Sequence, residues 1–245
     1  MKRFFVLTAL LLVLISLCSC CAAEGIAVDW ENTIFVGDSV THGLRNAVRN
    51  RQQTDKDYMQ GVTFLTVDSY SLHAASRKTM SGKYNISVKG KEVSFRDAMK
   101  IKQPDRVFIL LGLNDYAGRD IENCLDEVRT IIGFVREVSP QTVVIMESLT
   151  PVTKYFCTSK GREYQAMWDK YNEALEALCE EEGVLYADVA HALKGEDNYL
   201  QKQYSVDGEC HLNARGCRVW MDELDEIAAG FMADGLWYPL EITEE

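Results

Sequence analysis

The sequence predicts an α/β fold in which parallel strands alternate with helices. From residue 31 onward, short apolar runs rich in β-branched residues alternate with longer segments in which apolar residues recur every three or four positions. Runs without polar alternation suit strands buried on both faces, and the longer spacing suits helices that cover them. Strands and helices alternating in this way build βαβ units and a parallel sheet with helices on both faces.

Five apolar runs predict the strands of the sheet. They are Thr33 to Val36, Val62 to Val67, Val107 to Leu111, Val143 to Met146 and Val184 to Ala187. Three segments show the clearest helical stripes: Leu125, Val128, Ile132 and Val135; Trp168, Tyr171, Leu175 and Leu178; Trp220, Leu224, Ile227 and Phe231. Residues 84–93 interrupt this alternation and predict a small hairpin that turns at Lys89-Gly90.

The composition indicates one globular domain from about residue 28 to 235. The chain has 245 residues, of which 47% are hydrophobic and 26% charged, and its four prolines form no linker. The net charge of −11 repels phosphate backbones, so we expect no nucleic-acid partner. We expect a monomer.

Residues 1–20 have the pattern of a signal peptide of lipoprotein type. Lys2 and Arg3 precede an apolar run from Phe4 to Leu17, which is short for a membrane span. Leu17-Cys18-Ser19-Cys20 resembles a lipobox with Cys20 as the lipidated residue, and cleavage after Ala23 also fits. We therefore expect an extracytoplasmic protein, either secreted or held at the outer face of the cell membrane through an N-terminal lipid only.

The remaining cysteines do not suggest a disulfide framework or a metal centre. Five follow the signal region: Cys124, Cys157, Cys179, Cys210 and Cys217. An odd number leaves at least one thiol free, and their pairing is open. No C-x-x-C pair occurs among these five, the chain has no H-x-x-x-H pair, and Cys210 is adjacent to His211 rather than at the usual ligand spacing. We expect neither a metal nor a cofactor.

Three polar segments lie next to predicted strands or helices. Gly37-Asp38-Ser39 follows the first strand, Gly112-Leu113-Asn114-Asp115 the third, and Asp207 to Asn213 precedes the last helix. Carboxyl ends of parallel strands share one sheet edge, where ligands bind. A serine at a helix N-terminus, an amide donor and a histidine near a carboxylate suit nucleophilic catalysis. Each segment also has a structural interpretation, as a helix cap or a turn.

The three segments together resemble the SGNH (GDSL) hydrolase family of esterases and acyl hydrolases. The resemblance spans residues 33–231 and implies a flavodoxin-like three-layer α/β/α sandwich with a five-stranded parallel sheet. It also implies Ser39 as nucleophile, His211 as general base and Asp207 as its orienting acid. The Asn114 side chain and the Ser39 N–H would bind the oxyanion.

The sequence departs from the family pattern in two places. The second family block offers a glycine N–H after the second strand, but residues 68–75 contain no glycine; a backbone N–H between Ser69 and Leu72 can substitute. The acid and base are spaced D-x-x-x-H rather than D-x-x-H. A bulged loop can absorb the extra residue, or Glu209 can be the acid.

These observations favour a serine esterase that acts on short acyl groups of carbohydrate or small-molecule esters. His42 and His73 are weaker alternatives as base and pocket residue, because His42 lies on the same helix as Ser39. No long apolar insertion provides a lid for long acyl chains. The alternative is a noncatalytic surface-binding lipoprotein on the same fold.

Overall fold

The computed structural model describes residues 27–80, 82–115 and 119–239. The predicted signal segment, with Cys18, Cys20 and Cys21, lies outside these residues. The strands are β1 (Thr33–Gly37), β2 (Thr63–Thr66), β3 (Ile86–Val88), β4 (Lys91–Val93), β5 (Arg106–Leu110), β6 (Val143–Glu147) and β7 (Leu185–Ala187). Five of them form a parallel sheet in the order β2-β1-β5-β6-β7, and β3 and β4 form the antiparallel hairpin. The predicted α/β class, five-stranded parallel sheet and hairpin are confirmed.

Helices cover both faces of the sheet. They are α1 (Ser39–Arg51), α2 (Leu72–Ala75), α3 (Phe95–Lys102), α4 (Ile121–Val138), α5 (Lys154–Lys160), α6 (Tyr164–Glu182), α7 (Ala190–Leu193) and α8 (Ala214–Ala233). The predicted stripes of α4 and α6 are buried; in α8, Trp220 and Leu224 are buried, whereas Ile227 and Phe231 are half-buried. Helix α1 packs against α8, and α4 packs against both α3 and α6.

The strand order reverses between β1 and β5. After β1 the chain adds β2 on one side, and it then returns to add β5 on the other. Such a reversal opens a crevice at the carboxyl ends of the two strands. Gly37 ends β1 beside Leu110 of β5, and a Cβ on Gly37 would lie 2.0 Å from Thr41 Oγ1. Only glycine fits this close approach of strand and helix.

An aromatic cluster forms the core at the opposite end of these strands. The rings of Phe35 and Phe108 stack with centroids 4.7 Å apart, and Trp30 meets Trp237 edge-on at 5.2 Å. The buried guanidinium of Arg106 lies 4.7 Å from the Trp237 ring centroid. The buried Trp237 thus extends the core beyond residue 235.

All five cysteines among the described residues carry free thiols. Four are buried, and Cys210 is half-buried. None of the described helices is long and apolar enough to cross a membrane.

Glu147 is a fully buried carboxyl at the end of β6. Its Oε2 accepts a 3.1 Å hydrogen bond from Trp220 Nε1, and its Oε1 has no partner among the described residues. Burial raises the pKa of Glu147 to about 8, although the Trp220 bond partly opposes it. The carboxyl is therefore mainly protonated at neutral pH.

This raised pKa predicts a pH-dependent stability. An unfolded glutamate ionises from its ordinary value of 4.5 upward, whereas Glu147 in the folded chain ionises near 8. The free energy of unfolding therefore falls progressively as the pH rises from the unfolded pKa to the folded pKa, and the group costs no stability below both values. Glu147→Gln should gain stability relative to the wild type from pH 5 to pH 8, on the order of a few kcal/mol. Urea unfolding across this range measures it; a difference that does not change with pH would contradict the assignment.

Candidate active site

Ser39 begins α1 at the mouth of the crevice between β1 and β5. Asp38 caps this helix, because its Oδ1 accepts a 2.9 Å hydrogen bond from the N–H of Val40. The N–H groups of a first helical turn have no partner within the helix and favour negative charge. The Ser39 hydroxyl and backbone N–H therefore lie where an oxyanion could form.

Ser39, His211 and Asp207 form a continuous hydrogen-bond chain. Ser39 Oγ lies 3.0 Å from His211 Nε2, and His211 Nδ1 lies 2.6 Å from Asp207 Oδ2. The carboxylate fixes the ring hydrogen on Nδ1, so Nε2 is free to accept the serine proton. The three predicted residues are thus brought together in the order that general-base activation of a serine requires.

The loop before α8 accommodates the extra residue between acid and base. The Val206 N–H donates to the His211 carbonyl at 2.9 Å, so the two ends of the loop meet. Gly208 has φ +77°, a conformation that favours glycine, and the Glu209 N–H donates to Asp207 Oδ1 at 2.7 Å. The side chain of Glu209 makes no hydrogen bond to a described residue. The tight turn therefore directs Asp207, and not Glu209, to His211.

Asp207 is held in its ionised form. Partial burial raises its pKa, but the hydrogen bonds from His211, from the Glu209 N–H and from the Ser205 hydroxyl outweigh that effect and lower the pKa below its ordinary value. An ionised carboxylate stabilises the imidazolium that forms when His211 takes a proton.

Asn114 lies beside the nucleophile turn, and its amide hydrogens are engaged. Its Nδ2 donates to Asp38 Oδ2 at 2.7 Å and to the Tyr70 carbonyl at 3.1 Å. An amide has two hydrogens, so one of these bonds must open before Asn114 can donate to an oxyanion. The oxyanion role of Asn114 remains a prediction.

The loop after β2 lacks the family glycine and contains a serine in the left-handed backbone region. Ser69 has φ +57°, which costs a non-glycine residue about 1–2 kcal/mol. The Tyr70 and Leu72 N–H groups donate to Val67 and Asp115, whereas those of Ser69 and Ser71 make no hydrogen bond to a described residue. Ser69 and Ser71 are therefore the candidate backbone donors of this loop.

Asp115 anchors that loop to the end of β5. It is buried, and it accepts hydrogen bonds from the N–H groups of Leu72 at 2.7 Å and His73 at 3.2 Å. Arg119 contacts both Asp115 and Glu127, and Glu127 also lies 3.0 Å from His73 Nδ1. These tethers were not singled out in the sequence, where only the turn pattern of Gly112 to Asp115 was visible.

The other histidines do not contact the triad. His42 Nδ1 lies 3.3 Å from Asp68, and its Nε2 contacts Arg45. His73 pairs with Glu127 as described above. Among the described residues, the one group of three side chains that could share a metal ion is Asp207, Cys210 and His211.

The family is shown by comparison with known proteins. Residues 35–219 match the sequence profile of the GDSL-like lipase/acylhydrolase family. The chain belongs to this family. Its esterases and acylhydrolases are hydrolases that typically use a serine, and the predicted resemblance is therefore confirmed.

Solved structures show the same fold at low sequence identity. A GDSL-like lipase from Bacteroides thetaiotaomicron is 14% identical, with a TM-score of 0.60 over 81% of this chain and 87% of that one. A carbohydrate esterase family 3 protein from Talaromyces cellulolyticus is 15% identical, with a TM-score of 0.58 over 82% and 98%. An acetyl esterase variant with an acetate ion is 14% identical, with a TM-score of 0.58 over 83% and 98%. A search of the curated proteins finds no match.

The hydrogen-bond pattern predicts that Asp207 is the acid. Ser39→Ala and His211→Ala should each abolish most turnover, because they remove the nucleophile and the base. Asp207→Asn should lower kcat by up to about 10⁴-fold, because an amide favours the wrong ring tautomer. Glu209→Gln is the matched control and should change kcat little. Steady-state kinetics decide whether Asp207 or Glu209 is the acid. A large loss of kcat in Glu209→Gln with a small loss in Asp207→Asn would reverse the assignment.

Asn114→Ala should lower kcat by at most roughly 10² to 10³, the cost of losing one preorganised oxyanion donor, because one Asn114 hydrogen bond must open before the amide can donate to the oxyanion. The variant also loses the bonds to Asp38 and Tyr70, so thermal unfolding must be measured beside the kinetics. If kcat is unchanged while the melting temperature falls, Asn114 is a tether and not an oxyanion donor.

Proposed function

We propose that this chain is an extracytoplasmic serine esterase that removes short acyl groups from carbohydrate or small-molecule esters through an acyl-enzyme. The observation that carries the proposal is the hydrogen-bond chain from Ser39 through His211 to Asp207. Family membership supports the reaction class, since this family contains esterases and acylhydrolases.

The reaction follows from the position of the protons. Ser39 Oγ attacks the ester carbonyl carbon as its proton passes to His211 Nε2, and Asp207 stabilises the resulting imidazolium. The Ser39 N–H, the loop after β2 and Asn114 stand beside the developing oxyanion. His211 then protonates the alcohol as it departs, and the acyl group stays covalently bound to Ser39. Water deprotonated by His211 attacks this acyl-enzyme, releases the acid and restores Ser39.

A cavity beside the acid loop supports a carbohydrate as the alcohol part. It has a volume of about 450 Å³, and its lining includes Tyr155, Tyr199, Lys154, Gln201 and Gly208. Gly208 belongs to the acid loop, so the cavity lies beside that loop, although Ser39, Asp207 and His211 are not among its lining residues. Tyr155 is 64% exposed, and aromatic rings flanked by polar groups suit the alternating apolar and hydroxylated faces of a sugar.

Two solved structures with a similar fold support a carbohydrate or short-acyl ester as the substrate. One is a carbohydrate esterase and the other an acetyl esterase with acetate. The alternative, a noncatalytic binding lipoprotein, requires a decayed site. The intact Ser39–His211–Asp207 bonds weigh against that alternative.

The ester preference tests this proposal. Purified protein should hydrolyse p-nitrophenyl acetate, with rates that fall for longer acyl chains, and should release acetate from acetylated oligosaccharides. Ser39→Ala should be inactive on all of them. Wild type and Ser39→Ala with equal rates would refute the serine esterase, and faster hydrolysis of long-chain esters would refute the short acyl group.

A cavity variant separates the alcohol part from the chemistry. Tyr155→Ala removes an exposed ring of the cavity lining whose side chain makes no hydrogen bond to a triad residue. It should raise KM for acetylated oligosaccharides severalfold and leave kcat/KM for p-nitrophenyl acetate unchanged. Equal effects on both substrates would show that the cavity does not bind the sugar.

The location belongs to the same proposal and rests on residues 1–20. Mass spectrometry of protein made in a bacterial host should show a mature N-terminus at Cys20 that carries diacylglycerol. Cys20→Ala should abolish the lipid. An unmodified N-terminus at Glu24 would mean cleavage after Ala23, and hence secretion without an anchor.

A further inference from the structure

We propose that Asp207, Cys210 and His211 form a zinc site whose occupation switches off the esterase. The switch rests on the proposed function, because it acts through the same histidine. The zinc site itself rests on an independent observation, which is the placement of Cys210 beside the acid and the base.

The three ligand atoms have the separation that a zinc ion requires. One carboxylate oxygen, the Cys210 sulfur and a ring nitrogen of His211 all lie within 4.8 Å of one another. Cys210 Sγ lies 3.8 Å from His211 Nδ1. In a tetrahedral site with Zn–S of about 2.3 Å and Zn–N of about 2.0 Å, these two atoms are about 3.5 Å apart.

The carboxylate must move to complete the site. Asp207 Oδ2 lies 2.6 Å from His211 Nδ1, closer than two ligands of one ion. The Asp207 side chain is 33% exposed and the His211 side chain 43%, so a small rotation is open to them and water can reach a fourth position. Asp207 Oδ1 can keep its bonds to Ser205 and to the Glu209 N–H meanwhile.

The ligand types select zinc over the common hard cations. Thiolate, imidazole and carboxylate are the usual zinc ligands, whereas Mg²⁺ and Ca²⁺ prefer oxygen alone. Sequence spacing did not indicate this site, because adjacent residues rarely ligate together. Here the tight turn from Asp207 to His211 brings the acid over both side chains.

Zinc at Nδ1 would disable His211 as a base. In the free enzyme Nδ1 carries the hydrogen and Nε2 accepts the proton of Ser39. A metal on Nδ1 requires that nitrogen to be unprotonated, so the neutral ring carries its hydrogen on Nε2. The Nδ1 proton is thus transferred through solvent to Nε2, and the Cys210 thiol releases its proton to solvent. Nε2–H can no longer deprotonate Ser39, and Asp207 is bound to the metal.

Cys210 is not needed for the reaction, which makes the switch testable. Its sulfur makes a hydrogen-bond contact with only one triad atom, His211 Nδ1, and no proton of the proposed reaction passes through it. Cys217, by contrast, is buried on α8 and belongs to no group of potential ligands. It supplies the matched control.

The experiment measures zinc binding and zinc inhibition on the same reduced, chelator-treated protein. Calorimetric titration with zinc chloride should show one zinc per chain for the wild type, Cys217→Ala and Ser39→Ala. Cys210→Ala should bind at least about tenfold more weakly, since the loss of a direct ligand should cost no less than the loss of an outer-shell partner. Zinc should inhibit p-nitrophenyl acetate hydrolysis with the same tenfold difference, Mg²⁺ should not inhibit, and zinc-free Cys210→Ala should match the wild type.

Each result tests one part of the proposal. Equal zinc affinity of the wild type and Cys210→Ala overturns the site, as does a loss equally large in Cys217→Ala. Cys210-dependent binding without inhibition overturns the switch. If the zinc-free wild type hydrolyses no ester, the proposed function fails, and the titration of Ser39→Ala and Cys210→Ala still decides the zinc site.

Discussion

The 2.7 Å hydrogen bond from Asn114 to Asp38 joins the two sides of the crevice. Asp38 follows β1 and caps the helix that begins with Ser39, whereas Asn114 follows β5. Each end has a second tether, from Asp38 to the Val40 N–H and from Asn114 to the Tyr70 carbonyl. The nucleophile turn and the loop after β2 therefore take their positions from one hydrogen-bonded pair, in which Asp38 is buried and Asn114 is exposed.

The pKa values of Asp38 and Asp207 are shifted in opposite directions. Burial raises the pKa of Asp38 to about 7, and the hydrogen bonds from the Val40 N–H and the Asn114 amide oppose this shift only in part. Asp207, which is partly exposed, has a lowered pKa because its hydrogen bonds outweigh burial. At neutral pH the carboxyl that positions the nucleophile turn is thus only partly ionised, and the carboxylate that must stabilise an imidazolium stays charged.

The sequence was sufficient to predict the class of fold, and the structure brings together the three residues that the family resemblance implied as a triad. Buried strands such as residues 107–111 read as apolar runs because both faces are covered, and the three polar segments each follow an identifiable element. The details that depend on backbone conformation were not predictable. The turn at Gly208 that absorbs the extra residue and the left-handed Ser69 depend on φ angles, which residue types only bias. The commitment of both Asn114 hydrogens and the burial of Glu147 depend on distant elements that meet only in the folded chain.

The account depends most directly on Ser39 being a nucleophile activated by His211. A fluorophosphonate forms a covalent bond to an activated serine, and mass spectrometry of the digested protein identifies the labelled residue. We predict one adduct, on Ser39, with labelling at least about 10²-fold slower in His211→Ala, because the general base is lost. Labelling elsewhere in the chain, or an equal rate in His211→Ala, would contradict the account.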